Sequence, residues 1–266
     1  MIDKLNLTIY RQPDINFLEL QGTITEAERN RIYKYMCVLD KCVVLYRPHK
    51  FSDEVNFRIR YTKIDINPKH FECWLDCLQY LYQIFNSTDL SLDTFNISRI
   101  DIAADIEDLS MKSILATLNI KRIREDNFNF YRGTIYGGTD PKIRIYDKIK
   151  EIKARLKKKN DLTQYEKELL ETGKSWIRFE IEIRNTKMTL QNLINDPASL
   201  SFYFDRLEFF KLDGNESHTV MHFVYRLINR KHRKEIDFIK NNDLVEKIKR
   251  VYREEVSKWF QDREPF

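Results

Sequence analysis

Glycine and proline are scarce, six of each in 266 residues, which excludes a collagen-like repeat and a proline- or glycine-rich disordered chain. No apolar run approaches the roughly 20 residues that cross a bilayer. The amino-terminal segment MIDKLNLTIYRQ carries acidic and polar residues where a signal peptide needs an apolar stretch. The expectation is a cytoplasmic protein with no membrane association. Cysteine is also sparse: Cys73 and Cys77 sit inside the apolar helical stretch HFECWLDCLQYLYQIF, and Cys37 and Cys42 are not spaced like a zinc knuckle. All four read as core residues. Neither sign of charge dominates, since 46 basic residues face 41 acidic ones. The net +5 and pI of about 8.8 suit a polyanionic partner without requiring one. His218 and His222 stand at helical i, i+4 spacing with no companion acid and read as structural.

What is present describes a folded protein. Hydrophobic residues make up 42% of the chain and charged residues 33%, and the length suffices for a core that needs no disulfides. The pattern predicts strands in LNLTIYRQ, NFLELQGTI, CVVLYRP and NFRIRYTKIDI, with a helix in TEAERNRIYKYMCVLD. A helix follows over 69–86, its stripe formed by Phe71, Trp74, Leu75, Leu78, Leu81, Tyr82 and Phe85. Next come the strand FNISRIDIAADI, a short helix SMKSILATLN, the strand NFYRGTIYGG, the strand KIRIYDK running into a basic helix, a polar helical pair, and the strand WIRFEIEIRN. From about 188 the pattern is helical. The expected class is α+β, with a curved, largely antiparallel sheet, helices on one face and a helical C-terminal part. Residues 1–187 form the strand-rich domain and 188–266 the helical part packed on it.

Alternate residues of a strand share a face. On FNISRIDIAADI this puts Ile100, Ile102, Ala104 and Ile106 inward and Arg99, Asp101, Ala103 and Asp105 on the other side. On WIRFEIEIR, Arg178, Glu180, Glu182 and Arg184 oppose Ile177, Phe179, Ile181 and Ile183. On KIRIYDK, Lys142, Arg144, Tyr146 and Lys148 oppose Ile143 and Ile145. If these strands are neighbours, Asp101, Asp105, Glu180 and Glu182 meet around Tyr146. Clustered carboxylates repel unless a hard divalent cation or arginines compensate them. A metal there would polarise a phosphodiester, with Arg99, Arg144, Arg178 and Lys148 on the flanking phosphates. The same alternation also fits a solvated sheet face laced with salt bridges, Arg99 to Glu180 among them.

Gly-Gly-Thr-Asp-Pro makes a tight turn that fixes Tyr146 near the end of the following strand. Tyrosine is a poor nucleophile at neutral pH, with a pKa of about 10, and needs a cation or metal beside it. Tyr146 shares a polar face with basic residues, whereas most of the other tyrosines sit in apolar helical or strand patterns; Tyr136 is its nearest competitor.

Three segments occur in a particular order: Arg99-Ile-Asp-Ile-Ala-Ala-Asp105; then Thr134-Ile-Tyr-Gly-Gly-Thr139 with Arg144-Ile-Tyr146-Asp-Lys148; then Arg178-Phe-Glu180-Ile-Glu182-Ile-Arg184. Together they resemble the Rep_trans family of rolling-circle plasmid replication initiators, the Gram-positive plasmid type, and more distantly the filamentous-phage initiators. The compact Gly-Gly-Thr-Asp-Pro turn departs from the longer Gly-Ser turn usual in that family.

The resemblance implies that Tyr146 attacks DNA, assisted by Arg144 and Lys148, becoming joined to the 5′ phosphate and freeing a 3′ hydroxyl primer. Asp101, Asp105, Glu180 and Glu182 would stand near Mg2+ or Mn2+. It further implies a homodimer that acts on plasmid double-strand origin DNA and recruits a superfamily 1 helicase.

The basic helix DKIKEIKARLKKK, with Lys150 and Lys153, is suited to tracking a DNA backbone, although a solvated helix looks the same. Arg230, Lys231, Arg233 and Lys234 form a C-terminal face suited to duplex DNA. Two other functions fit the sequence: a DNA-binding regulator without chemistry on the same fold, and an RNA-processing or transposition nuclease that cuts other substrates by the same reaction.

Overall fold

The computed structural model describes residues 1–28, 30, 32–49, 61–120, 128–157, 162–184, 186–209 and 241–261. In chain order they form β1 (Ile2–Ile9), α1 (Ile15–Gln21), β2 (Thr23–Glu26), β3 (Tyr33–Val38), β4 (Cys42–Pro48), β5 (Thr62–Ile66), α2 (Trp74–Phe85) and β6 (Asn96–Glu107). There follow α3 (Met111–Thr117), β7 (Leu118–Ile120), β8 (Phe128–Tyr131), β9 (Thr134–Gly137), β10 (Lys142–Asp147), α4 (Lys148–Leu156), α5 (Gln164–Glu171) and β11 (Trp176–Arg184). The last elements are α6 (Leu190–Asn195), β12 (Leu207–Phe209) and α7 (Asn242–Gln261). Mixed helices and antiparallel strands give the α+β class that the alternation predicts.

The chain divides into two compact units, each built from discontinuous stretches. One comprises Met1–Ile102, Ile183–Ser199 and Glu255–Phe266; the other comprises Ala103–Glu182 and Leu200–Glu254.

In the first unit the strands run in the order β2-β3-β4-β5-β1-β6. Period-2 burial is clean in β5, where Thr62, Ile64 and Ile66 are buried and Lys63 and Asp65 are not. Leu5, Leu7, Val44, Ile97 and Ile100 complete the apolar layer. Helix α2 buries Trp74, Cys77, Leu81, Ile84 and Phe85 and stops at Asn86, which takes the left-handed conformation at φ 46°. Cys37, Cys42 and Cys77 are buried free thiols, and burial raises the pKa of each, as expected of core cysteines.

Several local expectations give way. INFLELQ is helix α1 rather than a strand, because the Asp14 carboxylate accepts from the Asn16 and Phe17 amides and caps its start. The stretch expected to be helical up to residue 40 instead contains β3, which pairs with β2 and β4, setting Cys37 opposite Ile24 and Val44. Of the strand expected in NFRIRYTKIDI, residues 56–60 lie outside the described residues and Thr62–Ile66 is β5. The helix expected in SMKSILATLN ends at Thr117. Leu118–Ile120 instead pairs with β12, which also interrupts the helical tail expected after 188.

In the second unit β11, β10, β9 and β8 follow one another as hydrogen-bonded antiparallel neighbours. The strand expected in NFYRGTIYGG is folded back on itself as β8 and β9. Arg132 (φ 50°) and Gly133 (φ 81°) form the two-residue turn, and Tyr131 pairs with Thr134. Positive φ at both central residues is what a tight hairpin turn of this hand requires. Ile135, Ile143, Ile145, Ile177, Phe179 and Ile181 are all buried on the apolar face, where Phe209 meets Phe179 edge-on at 5.9 Å. Burying each such side chain contributes about 1.5–3 kcal/mol. This layer fixes which way the alternate residues of β10 and β11 point.

Candidate active site

The register of β10 against β11 pairs Lys142 with Glu182, Arg144 with Glu180, and Tyr146 with Arg178. On the face of β11 expected to be polar, only Arg184 is exposed. Arg178 is 0% exposed, Glu180 2% and Glu182 3%. Charges so far from water need close partners, or the cost of desolvation unfolds the site.

The partners are specific. Tyr146 donates its hydroxyl hydrogen to Glu180 Oε2 at 3.2 Å, and Arg144 Nη2 donates to Glu180 Oε1. Glu180 therefore bridges a tyrosine and a guanidinium, both carried by the neighbouring strand. Arg178 grips Asp105 with two parallel bonds, Nε to Oδ1 at 2.7 Å and Nη2 to Oδ2 at 2.5 Å. Tyr165, from the first turn of α5, adds a third bond to Asp105 Oδ2 at 2.6 Å. Burial works against the Asp105 carboxylate, but the Arg178 charge, the Arg178 and Tyr165 hydrogen bonds and the Lys148 charge together hold its pKa below the usual aspartate range.

Lys148 starts helix α4 two residues after Tyr146. It is 3% exposed, with its ammonium 2.7 Å from Glu151 and 3.4 Å from Glu166. Arg155 also donates to Glu166. Glu166 closes a capping box with Thr163 at the start of α5. Burial opposes its ionisation, yet the Thr163 amide and the Lys148 and Arg155 charges lower its pKa. Lys148 is thus held inside an ionic network, and Arg178 is turned inward onto Asp105. Both have internal partners in place of the phosphate contacts expected for them.

In the first unit Asp101, 2% exposed, is held by Arg99 through Nε to Oδ1 at 2.7 Å and Nη2 to Oδ2 at 2.6 Å. Of the basic residues expected at DNA, Lys150 and Lys153 are exposed on α4. Arg230, Lys231, Arg233 and Lys234 lie outside the described residues.

Three of the four expected metal-binding carboxylates are thus each held by an arginine: Asp101 by Arg99, Asp105 by Arg178 and Glu180 by Arg144. Among the described residues no group of three His, Cys, Asp or Glu side chains is arranged to hold a metal ion. As they stand, these residues do not fit a preformed cation site; guanidinium groups supply the compensating charge.

Tyr165 escaped the reading of the sequence. A signal for it was present, because Thr163-Gln-Tyr-Glu166 spells a capping box and so places residue 165 in the first turn of a helix. What it touches required the tertiary fold.

The comparisons with known proteins point to a class of protein that acts in DNA replication. Residues 71–202, just under half of the chain, match the family model Phage_CRI, described as the N-terminal part of a replication-associated protein. The match supports a rolling-circle replication initiator family, and its span contains Asp101, Asp105, Arg144, Tyr146, Tyr165, Arg178 and Glu180. It does not specify the plasmid type that the motifs resemble. Neither the curated proteins nor the solved structures gave a match. Among the described residues no helix is long and apolar enough to cross a membrane.

Proposed function

We propose that this chain initiates rolling-circle replication of a plasmid by nicking one strand of the double-strand origin through Tyr146 and later rejoining it. The observation that carries the reading is the hydrogen bond from the Tyr146 hydroxyl to Glu180 at 3.2 Å, with Arg144 on the other carboxylate oxygen. An unassisted phenol is a weak nucleophile at neutral pH. Glu180 is placed to accept its proton as the phenol oxygen attacks. The Tyr146 Oη–P bond forms, the P–O3′ bond breaks, and the departing 3′ oxygen takes a proton from solvent. The product is a 5′-phosphotyrosine and a free 3′ hydroxyl that primes synthesis. In rejoining, a 3′ hydroxyl attacks the phosphotyrosine and the phenol recovers its proton.

Arg144 holds Glu180 in the geometry that receives the proton. Arg178, directly across the strand pair from Tyr146, is itself fixed by Asp105, whose carboxylate also accepts from Tyr165. Exposed Lys150 and Lys153 on α4 are suited to neighbouring phosphates. A requirement for Mg2+ or Mn2+, a homodimer and a superfamily 1 helicase partner are proposed from the resemblance alone, and no step above passes through an ion.

The test is conversion of supercoiled origin plasmid to open circles, with Mg2+ or Mn2+ supplied, by wild-type protein and by Tyr146→Phe. The wild type should nick and the variant should not; nicking by Tyr146→Phe would remove the assignment.

One observation favours a second reading, a DNA-binding regulator without chemistry: arginines already neutralise Asp101, Asp105 and Glu180. Origin binding by a wild-type protein that never nicks would establish that reading instead.

A further inference from the structure

The β8–β9 hairpin ends the strand order of the second unit and presents aromatic rings where the fold does not need them. Tyr131 is 55% exposed at its tip. The register places Tyr131 opposite Thr134, and Thr134 opposite Tyr146. Residues directly across antiparallel strands share a face, so Tyr131 stands in the same row and on the same side of the sheet as Tyr146. Two residues along, Tyr136 stands opposite Arg144, which is opposite Glu180. The two rows lie about 7 Å apart along the strands.

Each ring has a cation beside it. The Arg132 guanidinium lies 5.1 Å from the Tyr131 ring centroid, and Lys142 Nζ lies 5.9 Å from that of Tyr136. No carboxylate occurs in the hairpin between residues 128 and 138.

An exposed ring at Tyr131 and a half-buried one at Tyr136, each beside a cation, are the chemistry that holds a single strand of nucleic acid. Any base can stack on an aromatic face, and the cations take the phosphates. Paired bases inside a duplex offer no free face to such a ring. We propose that the β8–β9 hairpin is a stacking platform for unpaired bases of the DNA strand beside Tyr146, with Tyr131 as the principal ring and Arg132 as its phosphate partner. The proposal rests on the reading that Tyr146 works on DNA, and it adds that the local substrate is single-stranded.

The experiment uses the full chain carrying Tyr146→Phe, so that no strand is cut, and measures fluorescence anisotropy on a labelled oligo-dT and on a duplex of equal length. Adding Tyr131→Ala should weaken oligo-dT binding about 5- to 150-fold, the usual worth of one stacked base, and leave duplex binding unchanged. Tyr131→Trp should keep the affinity, since its ring also stacks. Arg132→Ala should lower the slope of log affinity against log salt by about one unit. Unchanged oligo-dT binding by Tyr131→Ala, an equal loss on duplex, or an equal loss by Tyr131→Trp would each overturn the platform. Binding is read without nicking, so the two readings fail separately. A wild type that forms no covalent product refutes the nicking reading, while a Tyr131 effect on oligo-dT still supports the platform.

Discussion

Tyr146 and Glu180 meet across the β10–β11 pair, hydroxyl to carboxylate at 3.2 Å, although Tyr146 lies directly opposite Arg178 in the register. The contact is therefore diagonal. It forms because Arg178 is drawn to Asp105, while Arg144, which is opposite Glu180, anchors the carboxylate from its other side.

If Glu180 accepts the Tyr146 proton, Glu180→Gln keeps the shape and a hydrogen-bond acceptor but removes the base. Nicking should fall by about 10²- to 10⁴-fold, the range of general-base assistance, while DNA binding is retained. Rates of open-circle formation alongside binding measurements check this. A variant that nicks at the wild-type rate would assign Glu180 a purely structural role.

The Asp105–Arg178 pair should matter chiefly to stability. Asp105→Asn leaves a guanidinium that is 0% exposed without its charged partner, which costs about 3–5 kcal/mol in urea unfolding. The pH dependence follows from the sign of the shift. The folded pKa of Asp105 is lowered, so its contribution is fully present above the unfolded value of about 4 and is lost as pH falls through the folded one. Unfolding curves between pH 6 and pH 2 should steepen in acid for the wild type and flatten for Asp105→Asn. Equal acid sensitivity in both would contradict the account.

At the hairpin turn, Gly133 has φ 81° and open space around the position of a Cβ. Replacing it with Ala therefore tests backbone conformation alone. Gly133→Ala should cost about 1–2 kcal/mol, from the crowding of a Cβ in the left-handed region. A shift in the urea midpoint with an unchanged slope is the expected signature.

Much of the site was legible in β6, β10 and β11, where Ile and Phe alternate with Arg, Asp, Glu and Tyr and assign each residue to a face. Alternation does not give register, so the partner of Glu180 could not be read from it. The salt-bridged reading offered Arg99 for Glu180, whereas the fold gives Arg99 to Asp101 and Arg144 to Glu180. Nor does alternation distinguish a solvated polar face from a buried one, so the enclosure of Arg178 and Glu182 came only from the fold.

The local errors have physical causes. TEAERNRIYKYMCVLD is rich in helix formers, yet pairing with β2 and β4 holds its second half extended as β3. Helix α1 owes its start to the Asp14 cap, and an apolar segment as short as NFLEL fits either periodicity. In YRGT, an arginine at positive φ disguised a turn that Asn-Gly would have announced.

The central claim is a covalent bond between Tyr146 and DNA. Wild-type protein should be incubated with a single-stranded oligonucleotide from its own origin and digested with protease, and the nucleotide-bearing peptide sequenced by mass spectrometry. The account predicts one modified residue, Tyr146, joined to the 5′ phosphate, and no modified peptide from Tyr146→Phe. A modification on another residue, or strand cleavage without any covalent peptide, would contradict it.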